Sequence, residues 1–468
     1  MEAARHGQFS PLCVLLLLNL AEPISATVIY PFIAQLIEEL GIASNKSSVG
    51  YYVGLVESLF FLTEAVFILQ WGRLSDRIGR KPVLITGLLG LAVSMFAFGL
   101  SHTLLGIIAS RALAGLLNGN VGILKSAIGE ITDETNMARA FSFIPLIWFV
   151  GSTISPVMGG YLSHPAERFP NVFGNPFWIN NPYFLPCLVA AIFAFGSAML
   201  ATIILEETHP SLRRRHSRRT DSMSSEMTLF SEEQGETLLS KEEAPQGSPP
   251  VSIRDLLTHK IAISVLNYGL LAILEISFQA LLPIFLATAL HFTPSSIGLV
   301  LGGVGLVNGC VQLSVFVPLH RRIGTRNIFT LGLSAFGVIY ATFPFIHRHY
   351  SEHGALGFKG WSLILLITVM CPIENMAFNV IFLYVQASSP SQETLGATNG
   401  IAQTVASIAR AIGPAATTSL FAVTMQRPDI LGGSLVYTLL IIVTIGAVCA
   451  SRRLPAEPWA RKKRADLY

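Results

Sequence analysis

The sequence predicts an all-α membrane protein of twelve transmembrane helices in two six-helix pseudo-repeat bundles. Three observations carry this. Charged residues are 13% of the 468-residue chain and hydrophobic residues 51%, about half the charged share of a soluble protein. The apolar residues fall into about twelve runs that can cross a bilayer, which takes ~20 residues as helix. A polar stretch, 206–260, divides those runs six and six, with matching signals on either side.

The first run, 11–36, is interrupted by Asn19, Glu22, Pro23 and Pro31. It is too long for a signal-peptide core and no small-residue cleavage site follows, so it reads as a span. Runs at 49–70, 82–101, 103–125, 139–161 and 183–205 complete an N-terminal bundle over 1–205. Residues 206–260 are rich in Ser, Glu, Arg and Pro. They cannot bury enough surface to offset chain entropy, so a largely disordered cytoplasmic linker is expected. A short interfacial helix around Ile253, Leu256 and Leu257 is expected at its end. Runs at 261–289, 295–318, 327–346, 361–386, 396–423 and 433–451 form a C-terminal bundle over 261–451, and 452–468 is a basic tail.

The net charge of +3 matters less than its distribution. Arg73, Arg77, Arg80 and Lys81 share one loop, Arg213, Arg214, Arg215, Arg218 and Arg219 another, Arg321, Arg322 and Arg326 a third, and Arg461, Lys462, Lys463 and Arg464 the tail. The positive-inside rule puts these and both termini in the cytoplasm. The Pro-, Asn- and aromatic-rich 162–182 loop then faces out, with the sequon Asn45-Lys46-Ser47. The membrane is either the plasma membrane or the vacuolar one. Cys13, Cys187, Cys310, Cys371 and Cys449 lie in or beside apolar runs without paired or metal-like spacing, and are expected as buried free thiols.

The halves carry corresponding signals. Ser155-Pro156-Val157-Met158-Gly159-Gly160 in span five answers to Gly413-Pro414-Ala415-Ala416 in span eleven. Val49-Gly50 leading to Arg77-Ile78-Gly79 answers to Ile297-Gly298 leading to Arg322-Ile323-Gly324, and Glu22 with Pro31 to Glu275 with Pro283. Arg321 stands where Asp76 would be, and Val317 where Gly72 would be, so an acid-based latch is expected in the first half alone.

The stretch Gly72-Arg73-Leu74-Ser75-Asp76-Arg77-Ile78-Gly79-Arg80-Lys81 is more ordered than topology requires. Gly72 and Gly79 are expected to permit tight packing and a turn. Asp76 is expected to pair with a nearby Arg through ties worth ~0.3–1 kcal/mol, weak enough to open in every cycle. The stretch resembles the loop between spans two and three of the major facilitator superfamily, G-x-L-a-D-r-x-G-r-k, with Ser75 where that family often has Ala. The resemblance implies the major facilitator fold, with halves related as parallel repeats. It also implies that Gly72, Asp76, Arg77, Gly79, Arg80 and Lys81 form a gate stabilising the outward-open state.

A charge at the bilayer centre costs ~2.5–3.5 kcal/mol, so it faces the bundle interior with a partner or a function. Glu22, with Asn19 and Ser25 on its helix face, is the leading proton-carrier candidate. Glu275 with Asn267 and Gln279, and Glu374 with Asn375, Asn379 and Gln386, are further candidates for a central cavity. Glu57 and Glu64, seven apart on one face of span two, read as structural. Arg111, Gly115 and Gly119 fall at i, i+4 and i+8, the glycines for close helix approach and the Arg as the cationic partner acting on a carboxylate. They resemble the superfamily's span-four motif; a static ion pair is the alternative. Gly151-x-x-x-Ser155-Pro156-x-x-Gly159-Gly160 resembles the span-five antiporter motif G-x-x-x-G-P-x-x-G-G, with Ser155 replacing one Gly. That resemblance implies export by antiport; a packing kink is the alternative. The run Asn19-x-x-Glu22-Pro23-Ile24-Ser25 through Tyr30-Pro31-Phe32 resembles the twelve-span drug:proton antiporters and the zinc-induced facilitator-like proteins of fungi and plants.

The expected function is secondary active transport of a small organic solute by alternating access, as proton-coupled export. A proton symporter, a facilitative carrier or a non-transporting nutrient sensor of the same fold are the alternatives. No cofactor is expected, since the proton gradient supplies the drive. The expected partners are the solute, protons and the bilayer, with no nucleic acid, for a monomeric chain. ATP drive is disfavoured for want of a phosphate-binding Gly-rich loop, and a metalloenzyme because the histidines lack metal-ligand spacing. A channel would need filter or charged-ring patterns that are missing.

Overall fold

The computed structural model describes residues 11–132, 137–208, 258–390 and 395–458. The expected disorder of the linker's middle, the interfacial helix around Ile253 and the basic tail from Arg461 to Arg464 lie outside the described residues. The described residues are mostly helical, with no strand among them.

The first run, read as one span, becomes three helices, Pro11–Asn19, Ala21–Thr27 and Ile33–Glu39. The prolines are the cause. Pro23 cannot donate to Asn19 and its ring crowds that carbonyl, while Pro31 disfavours helix at Tyr30. Span two is Val49–Ile78, span three Arg80–Gly99, and span four two pieces, Leu104–Leu117 and Asn120–Ile131. Spans five and six are Met137–Leu162 and Phe184–Ile204. The second half follows as His259–Thr288, Pro294–Ile323, Thr325–His353, Gly357–Ser388, Leu395–Gln426 and Leu435–Ser451, spans seven to twelve. Among the described residues nine helices are long and apolar enough to cross a membrane, and Pro11–Thr27 and Leu435–Ser451 are shorter apolar ones. Span eleven has the length but carries Gln403, Thr404, Ser407 and Arg410.

Two expectations are corrected. Spans two, eight and nine outrun their apolar stretches, because hydropathy measures the membrane and not the helix. The ten-residue loop after span two is therefore mostly helix, broken at Gly79 alone. The cysteines are free as expected, but Cys13, Cys310 and Cys449 are exposed rather than buried. An apolar run reports the membrane, and its outer stripe faces lipid.

The chain leaves span six at Thr208 and re-enters near Thr258 on one side of the bundle, here the linker face; the other is the far face. The halves meet along two seams near the far face. In the first, Gly160 of span five lies against the Pro294 carbonyl of span eight, and Gly298 against the Pro156 carbonyl. In the second, Gly50 and Gly54 of span two lie against Thr418 and Pro414 of span eleven, and Ser58 Oγ accepts from the Ala415 N–H at 2.9 Å. A Cβ at any of these glycines would overlap the opposing backbone or side chain, so the seams depend on them. Arg168 adds a hydrogen bond of 2.5 Å to Ser295 across the first seam. One apolar cluster runs continuously across the far face, joining Val28, Phe32 and Val53 to Leu281 and Phe285, whereas the linker-side core of the first half, around Leu15, Leu84 and Leu124, stands apart. The halves are thus joined along these two seams, whose close backbone approaches at Gly50, Gly54, Gly160 and Gly298 lie toward the far face.

Candidate functional site

The break in span four places the first functional side chain. Asn118 and Gly119 are poor helix formers, and the chain leaves helical geometry at Asn118 (φ −82°, ψ 70°). The break withdraws the usual partner of the Leu116 carbonyl, and Trp71 of span two replaces it, its indole N–H donating at 2.6 Å. Gly119 has no side chain because Trp71 packs on it. Asn118, fully buried, then reaches inward, and its Nδ2 donates to Glu22 Oε1 at 3.4 Å and to Glu64 Oε1 at 3.3 Å. Two carboxylates from two spans share one amide.

Two cations act on that pair. The charges of Lys125, from the second piece of span four, and Arg410, from span eleven, both reach Glu22 and Glu64. Arg410 also interacts with Glu275 and Tyr268 of span seven. It therefore sits among acids from both halves. Glu22, Glu64, Glu275 and Arg410 are partly exposed and Lys125 is exposed, so the cluster is reached by solvent. Asn19 lines a small crevice with Glu22 on the side toward Leu84 and Asn120. Glu275 accepts from Gln279 at 2.8 Å.

Other predicted residues lie elsewhere. Arg111 does not meet Glu22. Its guanidinium lies 4.8 Å from the Phe60 ring centroid, and its charge acts with Tyr30 and Glu57. Arg111 is 4% exposed and Glu57 1%, so this pair is closed off from solvent. Glu57 and Glu64 do share a helix face, but two turns of helix give them different neighbours. Gly115 packs on the Phe60 carbonyl and Thr63, so the Arg111, Gly115, Gly119 stripe fastens span four to span two. Glu374 is 2% exposed and accepts from Asn375 at 2.8 Å. Asn379 donates to Gln312 of span eight at 3.0 Å, and Gln312 donates to the Pro372 carbonyl at 3.0 Å. The span-ten polar stripe thus clamps spans eight and ten.

The span-five motif serves two interfaces at once. Gly151 packs on Pro23 and Gly159 on the Val28 backbone, both within the first half, while Pro156 and Gly160 face the seam. Ser155, the departure from the motif, is fully buried and donates to the Ile24 carbonyl at 2.7 Å. Pro414 holds the equivalent place in the second seam.

At the span two–three corner, Gly79 adopts φ 105° and ψ 164°, a region essentially restricted to glycine. Glu207, from beyond span six, caps the next helix, accepting from the Arg80 N–H at 2.8 Å and the Lys81 N–H at 3.2 Å. The Arg80 guanidinium pairs with Asp76 at 2.7 Å and with Glu130 at 2.9 Å. Lys81 Nζ donates to the Thr202 carbonyl. Arg77 is exposed, and Gly72 meets open space where a Cβ would be, so close packing does not require that glycine.

The second corner shares the cap but not the ion pair. Gly324 repeats the geometry, with φ 79° and ψ 166°. Glu457, from beyond span twelve, accepts from Thr325 Oγ1 at 2.7 Å and from the Thr325 N–H at 3.4 Å. A carboxylate cap exists in both halves, supplied from a distance that the local motif does not reveal.

Lys125, Arg410, Asn118, Glu130 and Glu207 were not singled out from the sequence. Arg410 carried a usable signal, a lone Arg within the apolar run 396–423; the others have none without their partners.

The sequence profile of the Major Facilitator Superfamily matches residues 15–414. The chain is 29% identical to the major facilitator superfamily multidrug transporter mfsB of Aspergillus fumigatus, over 87% of this chain and 77% of that protein. It is 28% identical to the protein Zinc Induced Facilitator 1 of Arabidopsis thaliana, over 92% of this chain and 88% of that one. These agree with the fungal and plant branch expected from span one. The crystal structure of a D-xylose-proton symporter matches with a TM-score of 0.70 over 95% of this chain and 97% of that one, at 13% identity, which speaks to the fold alone.

Proposed function

Because the chain belongs to the major facilitator superfamily, and is a multi-pass membrane transporter rather than an enzyme, we propose that it exports a small organic solute in exchange for protons. The observation that carries this reading is the Glu22–Asn118–Glu64 bridge facing Arg410 and Lys125. By the distribution of Lys and Arg, the linker face is the cytoplasmic one. The conformation described is then joined at the outer face, leaving the cluster accessible from the cytoplasm.

The coupling follows from where the charges ride. Glu22 and Glu64 belong to the first half and Arg410 to the second. When the halves rock about the far-face seams, Arg410 moves relative to both acids and the field on them changes. A change in field changes their affinity for a proton, and a ligand or proton that prefers one conformation shifts the population toward it. Solute and proton need only compete for the same carboxylate pair to exchange. Its multidrug-transporter relative and the span-five motif support export.

The test is transport by the purified chain in proteoliposomes with an imposed pH gradient, across a panel of small organic solutes. Glu22→Gln and Glu64→Gln should each abolish gradient-driven flux while leaving solute counterflow. Unchanged gradient-driven flux in the double variant would overturn the proposal.

A further inference from the structure

A second cavity lies on the far face, remote from the charged cluster. It has a volume of about 360 Å3 and straddles the seam, with Lys46 and Gly50 from the first half and His291, His347, Phe421 and Met425 from the second. That size is within the range of small-molecule sites, ~300–1,000 Å3. No carboxylate lines it, and its charged or protonatable groups are one lysine and two histidines. His347 lines the cavity, and its Nδ1 is buried behind that wall with no hydrogen-bond partner among the described residues. His291 holds φ 51°, left-handed for a residue with a side chain, and such strain gathers at ligand sites. Lys46 pairs with Glu38 at 3.1 Å, but its side chain is 65% exposed. Exposed pairs of this kind contribute little, so the ammonium can turn to a bound anion. Phe421 and Met425 supply an apolar wall.

We infer that this cavity is a second binding site, for a small aromatic or amphiphilic carboxylate, whose occupation holds the halves together at the far face. The carboxylate meets Lys46 and the imidazoles; the hydrocarbon lies on Phe421 and Met425. The lining comes from both halves, so the site is complete only while the far-face seam is closed. A ligand that binds one conformation alone draws the population toward it. Such an anion therefore arrests the cycle without competing at Glu22 and Glu64. The inference stands independently of proton coupling.

The full chain in lipid nanodiscs is titrated with 2-naphthoate and with its neutral isostere 2-naphthamide, following the thermal unfolding midpoint. The carboxylate should raise the midpoint saturably and the amide should not. Lys46→Gln and His347→Phe should each weaken the carboxylate at least about tenfold, as expected for loss of a charged hydrogen-bond partner or of the space itself. His347→Gln, which keeps an N–H donor, should retain binding. Spin labels at Val172→Cys and Ile430→Cys, with Cys13, Cys310 and Cys449 replaced by Ser, should show a narrower far-face distance distribution with the carboxylate. Equal stabilisation by acid and amide, or unaltered affinity in both Lys46→Gln and His347→Phe, would overturn the inference.

Discussion

The two corners on the linker face share a geometry and differ in chemistry. At Gly79 and Gly324 the chain reverses through one glycine-only conformation, and a distant glutamate, Glu207 or Glu457, caps the helix that follows. The first corner alone adds an ion cluster, in which Arg80 joins Asp76 to Glu130. The second has Thr325 bonded by Glu457 and His320, with no ion pair at Arg321, Arg322 or Arg326 among the described residues. The difference separates two requirements. The turn and its cap are what any helix-to-helix reversal needs: an unstrained backbone and an acceptor for the first N–H groups. The ion cluster ties a third element, the end of span four, to the first corner, and span four also carries Asn118 and Lys125. Only the first corner is wired toward the charged cluster.

The largest expected effect tests the corners directly. Gly79→Ala incurs ~1–3 kcal/mol of backbone strain and its methyl runs into the Glu207 carboxylate. Gly324→Ala incurs similar strain but approaches Glu457 Oε1 only at 3.2 Å. Chemical unfolding of the purified chain should show the greater loss for Gly79→Ala; equal losses would remove the distinction. Next in size is the ion cluster. Arg80 and Glu130 have side chains 11% and 16% exposed, whereas Asp76 is 62% exposed. Glu130→Gln should therefore cost more, ~1.5 kcal/mol, since Arg80 keeps Asp76 and the amide oxygen can still accept from it, and Asp76→Asn no more than ~1 kcal/mol. Turnover should follow the same order, and a larger effect of Asp76→Asn would restore Asp76 as the principal tie.

The smallest effect is a far-face control. His164 bonds Glu39 at 3.1 Å, and this bond raises the imidazole above its ordinary value. A raised histidine contributes stability that is fully present below its unfolded pKa, ~6.5, and lost as pH rises through the folded value. Stability at pH 6 should exceed that at pH 8.5 by under ~1 kcal/mol, discounted because the pair is partly exposed. His164→Gln should flatten this term, so that any remaining pH response belongs to other groups. A response unaltered by His164→Gln would show that the far-face pair contributes nothing.

The predicted elements survive where a one-dimensional pattern reflects a physical period. Ten of the twelve apolar runs became one helix each, while the first broke at its prolines and the fourth at Asn118-Gly119. The glycines of span five and the prolines at 156 and 414 were readable because close packing and a missing N–H act locally. The site was less legible. Glu22 stands out as a carboxylate in an apolar run, but its neighbours Asn118, Lys125 and Arg410 do not. Arg111, nearer in expectation, lies over the Phe60 ring and is buried. Charge pairing depends on depth and rotation of whole helices, which the spacing along one helix does not specify.

The residues alone show that this chain crosses a membrane repeatedly, that its halves carry matching signals, and that a glycine turn follows span two. Hydropathy, repetition and the φ preference of glycine are properties of residues and their near neighbours. Packing alone set which acids are partly exposed and which are sealed, that a glutamate caps each corner from beyond the sixth helix of its half, and that Arg410 of the second half acts on Glu22 and Glu64 of the first. Those outcomes depend on contacts between residues hundreds of positions apart, whose energies exist only once the helices have packed.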